Sequence, residues 1–393
     1  MINVKVVVGS NFGDEGKGLM TDYFCHQATS KNENCIVVLS NGGAQRGHTV
    51  TTPDGHRHVF HHFGSGTFVG ADTYFCDKYI LNPMTFRKEY EELQAMGYSP
   101  KVFAHHNCMW STPYDMMLNQ IIESSRGDNR HGSCGMGIWE TIVRYGCTKN
   151  AHFMSSFNEF SDAQKVNYIK AIKDVYVKMR LDALSVYMSD EWNKIFSSNV
   201  LISNFIDDVK FMCDHITWFD DSVLTSYKNV VFENGQGLLL DQDNTKYGDN
   251  TTPSNTGIKN PHEIISKALP NANVEVCYVT RTYLTRHGAG RFDEECDKAL
   301  INVSMEDKTN IPNPFQGSIR YGRLNVQDLF DRIQNDAHSV NVHYNVSLAI
   351  THVNEAGMLL VLDDVKQFSH FYLSDDHTRN SVKIWKKPID NLN

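Results

Sequence analysis

Val4-Lys5-Val6-Val7-Val8 leads into Gly13-Asp14-Glu15-Gly16-Lys17-Gly18. An apolar run that gives way to a glycine loop with a lysine reads as a strand feeding a phosphate-binding turn at a helix N-terminus. The spacing departs from the common P-loop, which needs glycine where Asn11 stands and serine or threonine where Gly18 stands. Backbone N–H groups and Lys17 can still hold phosphate. A carboxylate in a pure anion site would repel its ligand, so Asp14 points to a metal ion or to proton removal. The loop is expected to do chemistry on a nucleotide as well as bind it.

Other small-residue loops recur along the chain. Gly42-Gly43-Ala44-Gln45-Arg46-Gly47-His48-Thr49 carries a histidine, whose ordinary pKa suits donation to a phosphoryl oxygen. Gly132-Ser133-Cys134-Gly135-Met136-Gly137 allows close backbone approach to phosphate. Phe232-Glu233-Asn234-Gly235-Gln236-Gly237 follows a strand, so its polar end should lie at the strand's carboxyl edge. Thr251 and its polar neighbours offer hydroxyls and amides. Arginines sit in Thr285–Gly290 and in Gln316-Gly317-Ser318-Ile319-Arg320-Tyr321-Gly322-Arg323, where a bidentate grip on an acidic co-substrate is expected.

Between these loops, strand-like runs fall at Val4–Val8, Ile36–Leu39, Val230–Phe232, Val274–Val279, Leu348–Thr351 and Met358–Leu362. Several are apolar on both faces, as buried parallel strands are. One helix is well signed, with Asn82 as cap, Pro83 first, Phe86, Tyr90 and Leu93 on one face and Gly97 ending it. A long helical region is expected from Ser161 to Phe196, with Val166, Ile169, Ile172 and Val175 at helical spacing. A loop is expected over Asn310–Ser318. The fold class is α/β, a large mostly parallel central sheet flanked by helices. Residues 1–393 form a single domain, and about 150–225 is a helical insertion.

Composition narrows the function. A net charge of −9 without a long basic tract argues against nucleic-acid binding. The nine cysteines form no CxxC pair, so neither a zinc site nor a disulfide framework is expected. A strand opens the chain in place of a signal pattern, and there is no long apolar span, so a cytoplasmic protein without membrane contact is expected (host cytoplasm if the source is viral).

The order of these motifs resembles the adenylosuccinate synthetase family, whose members carry GDEGKGK, GGHNAGHT, GTTGRGIG, EGAQG, TRVGAGPF, an arginine-rich aspartate loop and TKxD. Gly13–Leu19, Gly42–Thr49, Gly132–Ile138, Glu233–Gly237, Thr285–Phe292, Phe315–Arg323 and Thr351–Asn354 stand in those places. The resemblance implies a ligase. A γ-phosphoryl group moves to the 6-oxo group of a purine nucleotide, and the amine of L-aspartate then displaces phosphate. It further implies Mg²⁺ held by Asp14 and the Gly47 carbonyl, with Asp14 as base and His48 as acid. Lys17 would neutralise phosphate. Gln236, Gln45 and Thr251 would hold the acceptor. Asn11, Gly13, Glu15, Gly16, Gly18, Thr49, Ser133 and Cys134 join them in binding nucleotide, as do Thr351, Asn354 and Ser374 near the donor base. Gln316, Gly317, Ser318 and Arg320 would bind aspartate. A homodimer is implied, and Arg144 lies where the family sends an arginine into the neighbour's nucleotide site.

The departures carry information. Arg46 replaces the family's alanine, Cys134 a threonine, and Ser318-Ile319-Arg320 a run of arginines. Asn354 replaces an aspartate that accepts protons from guanine, which points to ATP or dATP as phosphoryl donor with GTP still open. These features resemble the phage-encoded branch, which makes N6-succino-2-amino-2'-deoxyadenylate from dGMP and aspartate for diaminopurine phage DNA. Retention of Asp14 keeps open an ordinary synthetase acting on IMP with GTP, and a nucleotide kinase would share the phosphate loop.

Overall fold

The computed structural model describes residues 1–148, 151–304, 317–356 and 368–385. Its centre is a ten-stranded sheet. In chain order the strands are β1 (Asn3–Gly9), β2 (Cys35–Leu39), β3 (Asp72–Phe75), β4 (Val102–Ala104), β5 (Ile216–Trp218), β6 (Asn229–Gly237), β7 (Asn273–Arg281), β8 (Asn345–Thr351), β9 (His370–Leu373) and β10 (Lys383–Trp385). Across the sheet they run β10-β9-β8-β7-β1-β6-β2-β3-β4-β5. Every neighbouring pair is parallel except β9 and β10. The expected mostly parallel α/β sheet is what forms, and the five strand-like runs within the described residues all lie in it. The run Met358–Leu362 and most of the 310–318 loop fall outside the described residues.

The strands are apolar on both faces because both faces are covered. Val7, Val37 and Leu39 pack into one core cluster, while Val4, Val6, Val8, Ile36 and Val38 point into another on the opposite side. Helix α1 (Lys17–Thr29) starts at Gly16, whose φ of 91° lies in the left-handed region. Helix α2 (Pro83–Ala95) is capped as expected, with the Asn82 side chain accepting from the Thr85 N–H at 2.9 Å.

The 161–196 region is less regular than its spacing suggests. A helix over Asp162–Ala171 passes into a π-helical segment, Ile172–Val177, then into Lys178–Leu184. Ser185 at φ 53° ends it, and Asp190–Phe196 is separate. The wider π turn shifts the buried face by a residue. Tyr176 and Val177 pack inward, and Val175 is 65% exposed. Among the described residues no helix is long and apolar enough to cross a membrane.

Candidate active site

The glycine loops gather at the carboxyl edge of the sheet, where ligands of open α/β folds bind. They surround a cavity of about 910 Å³. The loop after β1 is closed on itself. Glu15 turns back so that Oε1 accepts from the N–H groups of Asn11 at 3.1 Å and Gly13 at 2.7 Å. Lys17 is fully buried, donates to the Gly13 carbonyl and lies 3.6 Å from Glu15. Burial raises the Glu15 carboxyl above its ordinary value. Asn11 bonds to Thr280 and accepts from Arg332 at 2.6 Å, which anchors the loop to the sheet.

Asp14 projects from this loop into the cavity with a quarter of its side chain exposed. His287 Nε2 lies 2.8 Å from its Oδ2, and Arg281 donates to its carbonyl. Burial works against the charge. The His287 hydrogen bond and the charges of His287, Arg281 and Lys17 outweigh it and hold the carboxyl well below the usual range. Asp14 is therefore an ionised carboxylate at neutral pH. Sequence reasoning singled out the 285–290 stretch for its arginine and missed His287; the histidine in place of the family's valine was the available signal.

His48 begins a short strand, His48–Thr51, paired with Arg57–Phe60. Its Nδ1 lies 2.6 Å from Oε1 of Glu233, midway along β6. Glu233 is buried completely and also accepts from the Ser65 N–H at 3.0 Å, the Ser65 hydroxyl and Arg46 Nη2 at 3.2 Å. Burial would raise it, yet Arg46, His48 and Ser65 bring it down to about 2. Burial, with the charges of Arg46 and Lys17, pulls His48 down to about 4 against the pull of Glu233. The imidazole is thus neutral at pH 7. Because the carboxylate can only accept, Nδ1 carries the proton and Nε2 is left as an acceptor. Gln236, three residues on, holds φ at 64°, a conformation a non-glycine residue rarely adopts and one that recurs at functional sites.

A sequence model of the family described as adenylosuccinate synthetase matches residues 6–335. The chain belongs to the adenylosuccinate synthetase family. Adenylosuccinate synthetase from Chlorobium chlorochromatii is 28% identical over 301 residues, covering 74% of this chain and 64% of that protein. The chain thus spans less than two thirds of that relative's length. The Chlorobium phaeovibrioides protein of the same name is 26% identical over 399 residues, covering 98% of this chain and 82% of its own. The fold matches the fully ligated adenylosuccinate synthetase of Plasmodium falciparum with a TM-score of 0.74 at 15% identity, over 98% of this chain and 100% of that one. Cyanophage S-2L succinoaminodeoxyadenylate synthetase, bound to dGMP and dATP as an energy donor, matches with a TM-score of 0.65 at 13% identity, over 98% of this chain and 95% of that one.

Of the residues that resemblance to adenylosuccinate synthetases selects, Gly13, Asp14, Gln45, Gly47, His48 and Thr49 line the cavity. Ser133, Cys134, Gln236 and Thr251 line it as well. Burial pushes the Cys134 thiol up to about 11, so it is a neutral group there. Glu15, Gly16, Lys17 and Gly18 shape the loop from behind. Thr351 does likewise, its hydroxyl donating to the Glu15 carbonyl at 2.8 Å. Asn354 is exposed on the short helix after β8, and Ser374 is buried with its hydroxyl bonded to the Asp376 carbonyl.

Two of the selected arginines are engaged within the chain. Arg144 does not reach outward: it is 1% exposed, its guanidinium held by Asp115 at 2.9 Å and by the Trp110 carbonyl at 2.7 Å. Arg320 is engaged by Glu295 and by the carbonyls of Gly288 and Gly290, outside the cavity. Arg286, from the neighbouring loop, does line the cavity, stacked on Phe12 at 4.8 Å, with a buried Nε that has no partner among the described residues. Gly317 and Ser318 are exposed, and Gln316 lies outside the described residues.

Proposed function

We propose that the protein is a ligase that joins L-aspartate to the 6-position of a purine nucleotide through a 6-phosphoryl intermediate. The acceptor is dGMP, the donor ATP or dATP, and the product N6-succino-2-amino-2'-deoxyadenylate. One observation carries the reaction class: an ionised Asp14 and a Glu233-oriented His48 face the same cavity in a chain of this family. The acceptor and donor are supported by the sequence, through Ser318-Ile319-Arg320 and Asn354. Asp14 itself supports a second reading, IMP with GTP.

The residues act as follows. The 6-oxo group leaves poorly until it carries a phosphoryl group. Asp14 takes the purine N1 proton, which makes O6 the nucleophile. Its carboxylate and the Gly47 carbonyl are hard oxygen donors that fit Mg²⁺, whose charge would offset that of the phosphate oxygens. His48 meets the phosphoryl group through Nε2. Negative charge arriving there favours the imidazolium, which then donates to a phosphoryl oxygen while Glu233 stabilises its charge. Arg286, through its unpartnered Nε, meets the carboxylate of aspartate.

The test is direct. The protein is incubated with Mg²⁺, aspartate, ATP or GTP, and dGMP or IMP, and the product is weighed by mass spectrometry. A succinylated product from dGMP is expected. Product from IMP alone would overturn the acceptor assignment. A phosphorylated nucleotide without aspartate would replace the ligase with a kinase. Asn354→Asp is expected to raise the GTP:ATP activity ratio several-fold; an unchanged ratio would remove Asn354 from base selection.

A further inference from the structure

Arg46 is the residue of the second glycine loop for which the proposed reaction has no use. It is 2% exposed and held on one side by three acceptors: the carbonyls of His61 at 3.1 Å and Phe63 at 2.7 Å, and the Glu233 carboxylate at 3.2 Å. Those bonds use Nε and Nη2. Nη1 is buried and has no partner among the described residues, although a guanidinium has five N–H donors and a buried charged donor without an acceptor is costly. Beside it, Gln45 Oε1 is buried and unpartnered too, and both residues line the cavity.

The position of that donor is fixed relative to His48. Glu233 binds Arg46 through Oε2 and His48 through Oε1, so cation and imidazole are two arms of one buried unit. The charges of Arg46 and Lys17 both act on His48. With Glu233 already shared between His48 and Arg46, the unpartnered Nη1 calls for an acceptor, and a planar guanidinium suits the oxygens of a phosphoryl group.

We propose that Arg46 is a further oxyanion-binding residue of the cavity, with Nη1 donating to a phosphoryl oxygen held beside His48. The assignment of that group as the one transferred rests on the ligase reading; the binding itself does not require turnover. A purely structural Arg46 would serve only Glu233 and the His61 and Phe63 carbonyls.

Arg46→Lys separates the two roles, since lysine keeps a cation for Glu233 and lacks Nη1. Inorganic phosphate is titrated into the full chain by calorimetry, without aspartate or nucleotide. The wild type should bind it, and folded Arg46→Lys should bind it at least about tenfold more weakly, as loss of a charge-assisted hydrogen bond implies. Equal affinity in the two proteins, or no binding by the wild type, overturns the proposal. Should Arg46→Lys not fold, the guanidinium ¹⁵N signals of the wild type replace it: Nη1 should shift on phosphate addition, and an unmoved signal overturns the assignment. A protein that makes no succinylated product still tests Arg46 this way, and an unaltered phosphate affinity leaves the ligase reading standing.

Discussion

Asp14→Ala is expected to lower turnover by about 10³-fold or more, within the range for removing a positioned general base, while the protein stays folded. The side chain contacts His287 at the cavity, and a quarter of it is exposed, so little core packing is lost. Its carbonyl, which the substitution keeps, is the group that Arg281 holds, and the turn is fixed independently by Glu15 on the amides of Asn11 and Gly13. Asp14→Asn should match it in activity, because an amide of the same shape cannot take a proton. Near-normal activity in either variant would remove Asp14 from the chemistry. Loss of activity together with unfolding would show that it serves the loop instead.

Glu233→Ala should lose both activity and stability. Arg46 would remain buried without its counterion, and removing one partner of a buried pair costs about 3–5 kcal/mol. The Ser65 N–H and hydroxyl would lose their acceptor as well. His48 would lose the bond that fixes its tautomer, so neither ring nitrogen would be held toward the cavity. Denaturant unfolding and the rate of product formation measure the two effects separately. A variant as stable as the wild type would show that Arg46 finds another partner and that the Glu233 charge is dispensable to the fold.

What could be read in the sequence was local. Val4–Val8, the Asn82-Pro83 cap and the glycine loops declare themselves through side-chain alternation and turn chemistry a few residues long, and the sheet and cavity edge follow from them. The pairings that set the chemistry join residues far apart in the chain. Asp14 meets His287, and His48 meets Glu233. No spacing rule reaches across such separations. Arginine position is unreadable for the same reason. Arg286 and Arg320 sit in equally suggestive loops, and only the pairing of Arg320 with Glu295 decides which of them is left for the cavity. The π-helical segment at Ile172–Val177 escaped because a one-residue change of pitch leaves almost no mark in an apolar pattern.

The place of β1 in the sheet has a consequence for how the chain is made. The strand that carries the first glycine loop is flanked by β6 and β7, with Val4 paired to Val230 on one side and to Val274 on the other. During synthesis from the N-terminus, β1 and its loop exist long before either neighbour does. The loop anchors arrive later still: Thr280 and Arg281 close β7, and Arg332 and Thr351 come after them. Pairing over such separations is slow to form. The candidate site is therefore completed late, although the loop that carries Asp14 is made well before the strands that flank it. Until then an apolar strand waits with both edges unpaired, the condition in which strands find wrong partners.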